Sequence, residues 1–413
     1  MKEGNPLINV TKLLTGLQGE GDALRYTPHT GTQPAQGVSE GRGPVVVWNS
    51  TRACNLNCLH CYADACSSPA SAELSTREAM AMIDDLSRFK VPVLLFSGGE
   101  PLMRRDLLPL LRYAKLRGIR TVISTNGTLI TSRMAERIKQ AGVGYVGISI
   151  DGMGSNNDRF RGQSGAYERA IQGIRNCLAQ GQKVGLRFTI SRHTLADLEQ
   201  VLNLIEEEQI PRACFYHLVY SGRGQHLQNE DITRQEAREA MDMIVQKTLE
   251  LYQKGRPAEI LTVDNHADGV YLYQWMKERD PLQAKRIFSL LQANGGNRSG
   301  VAIGCIDWHG EVYPDQFTRD IRLGSIRERS FSEIWSDLSH PILSGLRDRK
   351  PLLAGRCREC HWLALCNGNF RARALATGSF WASDPSCYLT DEEIKAPRPS
   401  TEVQADADLL EYH

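Results

Sequence analysis

The sequence predicts an α/β fold: a partial barrel of six successive βα units followed by a small cysteine-rich C-terminal domain. Three observations carry this expectation. From Pro44 to about Gly222, short β-branched runs alternate with amphipathic stretches, the pattern of a parallel sheet with crossover helices. Each strand candidate ends in Gly, Ser, Asn or Asp, so polar and glycine motifs collect at the carboxyl ends, where a parallel barrel carries its chemistry. Cysteines recur in two groups, one near the first strand and one in the last quarter of the chain. A doubly wound sheet is the alternative architecture.

Residues 1–43 are rich in Gly, Thr, Gln and Pro after one apolar stretch and read as a helix followed by an extended arm. The core barrel is expected over residues 44–225. Its strands are VVVWN from Val45, VPVLLFSGG from Val91, IRTVISTNG from Ile119, YVGISIDG from Tyr145, KVGLRFTIS from Lys183 and ACFYHLVYSG from Ala213. Helices are expected over Thr76 to Phe89, with Thr76 as cap and Glu78 in the first turn, and over Asp106 to Arg117, closed by Gly118. Residues 226–300 read as a mostly helical connector ending in the glycine-rich NGGNRSG from Asn294. The second domain is expected over 301–396, and the polar tail 397–413 reads as loose.

Composition narrows the function. A chain of 413 residues holds one large and one smaller domain. Its 49 basic and 48 acidic residues cancel, so no net field draws nucleic acid or an anionic membrane, and neither is expected as a partner. The N-terminus MKEGNPLINVTKLL lacks a basic-then-apolar signal, and no run approaches the ~18 apolar residues of a membrane span. A soluble cytoplasmic protein is expected, in which eleven cysteines serve as reduced thiols and metal ligands rather than as a disulfide framework.

Cys54, Cys58 and Cys61 lie in CNLNCLHCY, just after the first strand. A 4Fe-4S cluster normally takes four cysteine ligands. Three close thiolates therefore leave one iron open to chelate a small molecule. Cysteines at short spacing also hold structural zinc or pack as apolar residues, but zinc sites usually read as CxxC pairs. Near the C-terminus, Cys357, Cys360 and Cys366 form CRECHWLALC and Cys387 follows in DPSCYLTDEE. Four thiolates fit a closed site, either a second iron–sulfur cluster or zinc; the continuation to Cys366 favours the cluster. Cys305 has three readings: one of those four ligands, a substrate ligand, or a buried thiol. Cys66, Cys177 and Cys214 read as packing residues.

With these residues in place, the chain resembles the radical S-adenosylmethionine enzymes with a C-terminal auxiliary-cluster domain of the SPASM type, over roughly residues 42–396. CNLNCLHC matches the family's CxxxCxxC signature and SGGEP from Ser97 its second motif. Within that superfamily it is similar to the tetrapyrrole side-chain enzymes of the alternative haem pathway and of haem d1 formation. FYHLVYSGRG from Phe215, LTVDNHADG from Leu261, NGGNRSG, DWHGEVYPDQF from Asp307, CNGNFRARA and DPSCYLTDEEI carry that likeness. KLLTGLQGEGDALRY, together with the near-continuous similarity, favours the acetate-removing branch over the haem d1 branch, which removes propionate side chains.

The resemblance implies two 4Fe-4S clusters and S-adenosylmethionine as cofactors, with Cys54, Cys58 and Cys61 on the catalytic cluster and the methionine amine and carboxylate on its fourth iron. It implies that Gly98, Gly99 and Glu100 hold the methionine amine, that Ser124 and Asn126 contact the ribose, and that Ser149, Asp151 and Arg187 reach the methionine carboxylate or ribose. A strand-end GG or Asn is also an ordinary turn, and a strand-end Asp or Arg is as often a structural ion pair. His60 is placed near adenine, through its backbone. Arg223, in SGRG, suits a substrate carboxylate because guanidinium binds carboxylate bidentately. His217, His266, His309 and His361 are candidates for axial ligands to the substrate's iron or for partners of its carboxylates.

The implied substrate is didecarboxysirohaem, and the implied reaction is hydrogen abstraction from an acetate side chain followed by loss of that side chain, repeated once, to give iron-coproporphyrin. A low-potential donor such as ferredoxin or flavodoxin is the implied partner, and the auxiliary cluster is placed to pass an electron. Peptide maturation is the nearest rival, but the first 43 residues are too short and glycine-rich for a peptide-recognition domain. A non-catalytic electron carrier or zinc module leaves SGGEP and the three-cysteine spacing unexplained.

Overall fold

The computed structural model describes residues 7–26 and 36–395; the expected tail 397–413 and part of the N-terminal arm lie outside them. One sheet of eleven strands organises the described chain. In chain order the strands are β1 (Ile8–Asn9), β2 (Val45–Asn49), β3 (Val93–Ser97), β4 (Arg120–Thr125), β5 (Tyr145–Ser149), β6 (Val184–Ile190), β7 (Arg212–His217), β8 (Glu259–Val263), β9 (Ile303–Ile306), β10 (Glu311–Tyr313) and β11 (Gly324–Ser325). Their spatial order is β1-β8-β7-β6-β5-β4-β3-β2-β9-β10-β11. Every pairing from β8 through β2 to β9 is parallel, and only the two edges, β1 on β8 and the β9–β10–β11 meander, are antiparallel.

The six expected strands form and pair in order, because their side chains are apolar on both faces. All five residues of β2 are buried, as parallel strands covered on both sides require. Helices Thr76–Arg88, Leu107–Leu116, Ser132–Ala141, Ala166–Ala179 and Leu198–Glu207 supply the outer layer. The first is capped by Ser75 rather than Thr76: the Ser75 hydroxyl accepts from the Glu78 amide while Glu78 reaches back to the Ser75 amide, a reciprocal box.

The sheet is wider than six strands, and its extra members cross the expected boundaries near residues 225 and 300. The 226–300 segment is mostly helical but also contains β8, which pairs parallel to β7. The N-terminal stretch is no simple helix and arm, since Ile8 and Asn9 pair antiparallel with Leu261 and Thr262 before helix Val10–Thr15 begins. At the other edge, β9 adds parallel to β2 with Val45 opposite Ile303 and Val47 opposite Cys305.

The C-terminal region packs across the carboxyl ends of β7 and β8. Arg373 and Asp384, both fully buried, form a two-pronged ion pair, Nε to Oδ1 at 2.9 Å and Nη2 to Oδ2 at 2.8 Å. Arg373 also donates to the carbonyls of Leu218 and Asp264, just beyond β7 and β8. NGGNRSG, the expected connector, is packed against the C-terminal region. Gly296, at φ 65°, lies so close to Cys366 that a Cβ there would be 2.3 Å from the cysteine carbonyl carbon and oxygen, and the Asn297 amide donates to that oxygen at 3.1 Å.

Candidate functional site

A cavity at the carboxyl ends of β2 to β8 gathers most of the expected site: Cys54, Cys58, Cys61, His60, Gly98, Gly99, Ser124, Asn126, Ser149, Asp151, Arg187 and Arg223. Parallel strands bring Cys54 and Arg223, 169 positions apart, to one mouth.

The loop after β2 carries the three cysteines and is fixed from several sides. Asn126 Nδ2 donates to Asn55 Oδ1 at 2.9 Å and lies 3.9 Å from Cys54 Sγ, the Leu56 amide is 3.4 Å from Cys54 Sγ, and Arg161 Nη1 is 3.7 Å from Cys58 Sγ. Burial pushes the Cys54 thiol up to about 12 and raises Cys58 as well. Thiols so hard to ionise are poor nucleophiles, and a metal is what draws the proton off. N–H donors waiting at sulfur fit a cluster whose thiolates carry charge.

The glycine pair of SGGEP is held against this loop. The Gly99 and Glu100 amides donate to Thr51 O at 2.8 Å and Ala53 O at 2.7 Å, and Gly98 is left-handed at φ 122° with Thr51 O where a Cβ would sit. Glu100 departs from expectation. Its side chain turns away from the cavity and is fully buried, accepting from Thr125 Oγ1 (2.7 Å), the Asn126 amide (2.8 Å) and the Leu102 amide (3.1 Å). Burial pushes it up to about 7, against the lowering effect of those three bonds. It fastens β4 to the glycine turn, and Ser97, Gly98 and Gly99 are the parts of the motif that line the cavity.

Several other assignments change in the same way. The Asn126 side chain is spent on the cluster loop and on Thr128, whose amide and hydroxyl donate to its Oδ1. Asp151 pairs with Arg161, lies 3.4 Å from His60 Nε2 and accepts from the Thr189 amide at 2.6 Å, which makes it a brace between strand ends. His60 stacks on Phe160 at 4.6 Å, and burial lowers it to about 4, so it is neutral. Arg187 reaches Ser124 across β5. Gly147 gives it passage, since a Cβ there would be 2.2 Å from Arg187 Nε. Ser149 lines the cavity beside them.

Arg223 was expected to meet a substrate carboxylate with both prongs. Instead Nε donates to Cys58 O at 2.8 Å and Nη1 to Ala65 O at 2.9 Å, and its amide donates to Cys61 O at 3.0 Å. It clamps the cluster loop, with Nη2 buried and unpartnered. Of the four candidate histidines, only His217 lines the cavity. Its Nε2 is 3.1 Å from Asp268 Oδ2 and its Nδ1 3.5 Å from Asn265 Nδ2, so both nitrogens are engaged. His266 is buried and lowered to about 3 by burial, His309 stands beside Trp308, and His361 is exposed.

The second cysteine set is a separate site. Cys357, Cys360, Cys366 and Cys387 line one small pocket walled by Trp362, Leu363, Leu389 and Ile394. Burial pushes Cys387 up to about 11 and raises Cys366 further. Four thiols around an apolar pocket fit a fully ligated cluster. Cys305 lies instead in β9 among Val47, Ile303 and Tyr313, with Asn49 Nδ2 3.6 Å from its sulfur; it is a buried thiol. Cys177 and Cys214 are buried too, but Cys66 is exposed and contributes through its backbone, which bridges to Cys54 and Arg52.

Residues 48–205 match the radical SAM superfamily and residues 303–361 an iron–sulfur cluster-binding domain, SPASM. The chain is 52% identical to Fe-coproporphyrin III synthase of Methanosarcina barkeri, over 94% of this chain and 99% of that protein. It is 44% identical to pre-heme d1 synthase of Dinoroseobacter shibae, over 85% and 87% of the two chains. In fold it resembles SuiB of Streptococcus suis bound to its precursor peptide SuiA, with a TM-score of 0.67 at 16% identity, over 84% of this chain and 76% of SuiB.

Proposed function

Since the chain belongs to the radical SAM superfamily and carries a C-terminal iron–sulfur domain of the SPASM type, we propose that it acts on a tetrapyrrole, removing the two acetate side chains of 12,18-didecarboxysirohaem to give Fe-coproporphyrin III. The observation that carries this reading is the 52% identity to Fe-coproporphyrin III synthase along nearly the whole of both chains. S-adenosylmethionine on a cluster held by Cys54, Cys58 and Cys61 supplies, on one-electron reduction, a 5′-deoxyadenosyl radical.

The protein's part is positional. Arg223 and Asn126 fix the cluster loop, Glu100 locks the glycine turn to β4, and the backbone of Gly98 and Gly99 offers a close approach to the methionine end of the cofactor. Arg187, steered by Gly147 toward Ser124, gives the cavity a cation for a carboxylate. Cys357, Cys360, Cys366 and Cys387 hold the auxiliary cluster, and a low-potential one-electron donor such as ferredoxin or flavodoxin feeds the system.

The bond to be broken joins the macrocycle to the acetate methylene. A radical weakens the bond one atom removed from it, so the hydrogen atom must leave the neighbouring ring carbon. Abstraction from the side chain itself, the step the resemblance suggested, weakens ring bonds instead.

The test is anaerobic incubation of the reconstituted protein with dithionite, S-adenosylmethionine and didecarboxysirohaem, followed by mass spectrometry. Loss of two acetate groups is expected. Loss of propionate-derived mass instead moves the protein to haem d1 formation, the reading favoured by its 44% identity to pre-heme d1 synthase.

A further inference from the structure

Asp264 follows β8 directly, at the carboxyl-end rim, and lines the cavity that holds the cluster cysteines. Its backbone is left-handed, φ 67°, a conformation uncommon outside glycine and a cost borne where the surroundings enforce it. The enforcing contact is Arg373, whose guanidinium takes the Asp264 carbonyl while paired with Asp384. The residue is only 8% exposed, and its carboxyl Oδ2 is buried without a hydrogen-bond partner. A carboxylate left so is expensive, and nothing in the roles assigned above uses it.

Its surroundings favour the acid form. Burial pushes Asp264 up to about 8, against the opposing charges of Arg373 and Arg187 and with reinforcement from Asp315. Of the two opposing cations, Arg373 is already neutralised by Asp384, while Arg187 is turned toward Ser124. Gln316, also on the cavity wall, leaves its Oε1 buried and unpartnered as well, so this side of the mouth holds polar groups without protein partners.

We propose that Asp264 is a further catalytic residue, the acid that supplies the proton taken up by each departing two-carbon fragment. This rests on the acetate-removing reading. Once a ring carbon has lost its hydrogen atom, the adjacent C–C bond to the acetate methylene breaks homolytically, a ring double bond forms, and the fragment leaves as a carboxymethyl radical. One electron from the low-potential donor and one proton from Asp264 convert that radical to acetate. The Asp264 carboxylate is then reprotonated from solvent before the second round.

The test uses holoenzyme with both clusters loaded, assayed in D2O and across pH. Wild-type protein is expected to release acetate carrying one solvent deuterium, with release falling about tenfold per pH unit above pH 8. Asp264→Asn is expected to slow acetate release about a hundredfold while 5′-deoxyadenosine still forms, and Asp264→Glu to recover part of the rate. Release from Asp264→Asn at the wild-type rate, or wild-type acetate without deuterium, overturns the proposal. Should Asp264→Asn not take up its clusters, Asp264→Glu decides: a pH profile identical to wild type, with no displaced ionisation, overturns it. A wild-type reaction that cleaves S-adenosylmethionine yet leaves the tetrapyrrole unchanged defeats the acetate-removing reading itself, which separates the two failures.

Discussion

Gly99→Ala is the substitution whose effect can be worked most directly from the structure. The Cβ it introduces would stand 2.2 Å from Ala53 O, 2.6 Å from Ala53 C and 2.7 Å from Arg52 O. All three are backbone atoms of the segment between β2 and Cys54, so no side chain can swing aside. Ordinary contact begins near 3.4 Å, so the two segments must separate by about an ångström. That separation breaks Gly99 N to Thr51 O and Glu100 N to Ala53 O. Two backbone hydrogen bonds at about 1 kcal/mol each, with overpacking of about 1–3 kcal/mol, give a destabilisation of roughly 3–5 kcal/mol. The same ångström falls between the glycine turn and the cluster loop, where a misplacement of this size costs about 100-fold in rate. Denaturant midpoints at unchanged m-value report the stability loss, and 5′-deoxyadenosine formation under dithionite reports the chemistry. A Gly99→Ala protein within about 0.5 kcal/mol of wild type, cleaving S-adenosylmethionine at the wild-type rate, would refute the reasoning.

Three further outcomes are expected. Glu100 binds a proton more tightly when folded (about 7) than its ordinary value of 4.5, so it stabilises fully below pH 4.5 and loses that contribution as pH rises toward 7. Denaturation measured from pH 4.5 to 7 should show wild type losing stability relative to Glu100→Gln, and parallel curves would contradict this. Arg223→Ala removes the clamp on Cys58 O and Ala65 O and is expected to deplete the barrel cluster while sparing the C-terminal one, read by iron analysis and EPR in a Cys357→Ala background and in its absence. Asp384→Asn leaves Arg373 charged and unpaired in the core and is expected to cost about 3–5 kcal/mol, measured by urea unfolding; a loss below about 1 kcal/mol would show the pair to be dispensable.

Much of this was legible in the sequence because the strongest signals are local. VVVWN, FSGG and STNG announce buried strands ending in turns, and the cysteine spacings stand within a few residues of one another. What escaped depends on contacts that span the chain. EILTV, the five-residue β8, sits between two long helices and becomes a strand because β7 offers it a partner. IGCI drew notice for Cys305, yet its role is to extend the sheet beside β2. Arg161 sits 103 positions from the cysteine it approaches, and no spacing signals it. Glu100 and Asn126 stand in recognisable motifs, but which way a strand-end side chain turns is set by pairing register. Asp264 carried a readable sign, a strand closing in Asp as SID does, hidden because the strand itself was missed.

The pairing of β2 with β9 bears on how the protein is made. β2 is the foundation of the cysteine loop, and one of its two edges is hydrogen-bonded by residues translated some 250 positions later. During synthesis that edge stands bare until Ile303 has left the ribosome, open to wrong strand partners. The loop therefore gains its final shape only when the C-terminal region arrives, a non-local closure of the kind that folds slowly. Iron delivered to a half-made chain would meet three cysteines on an unfinished support.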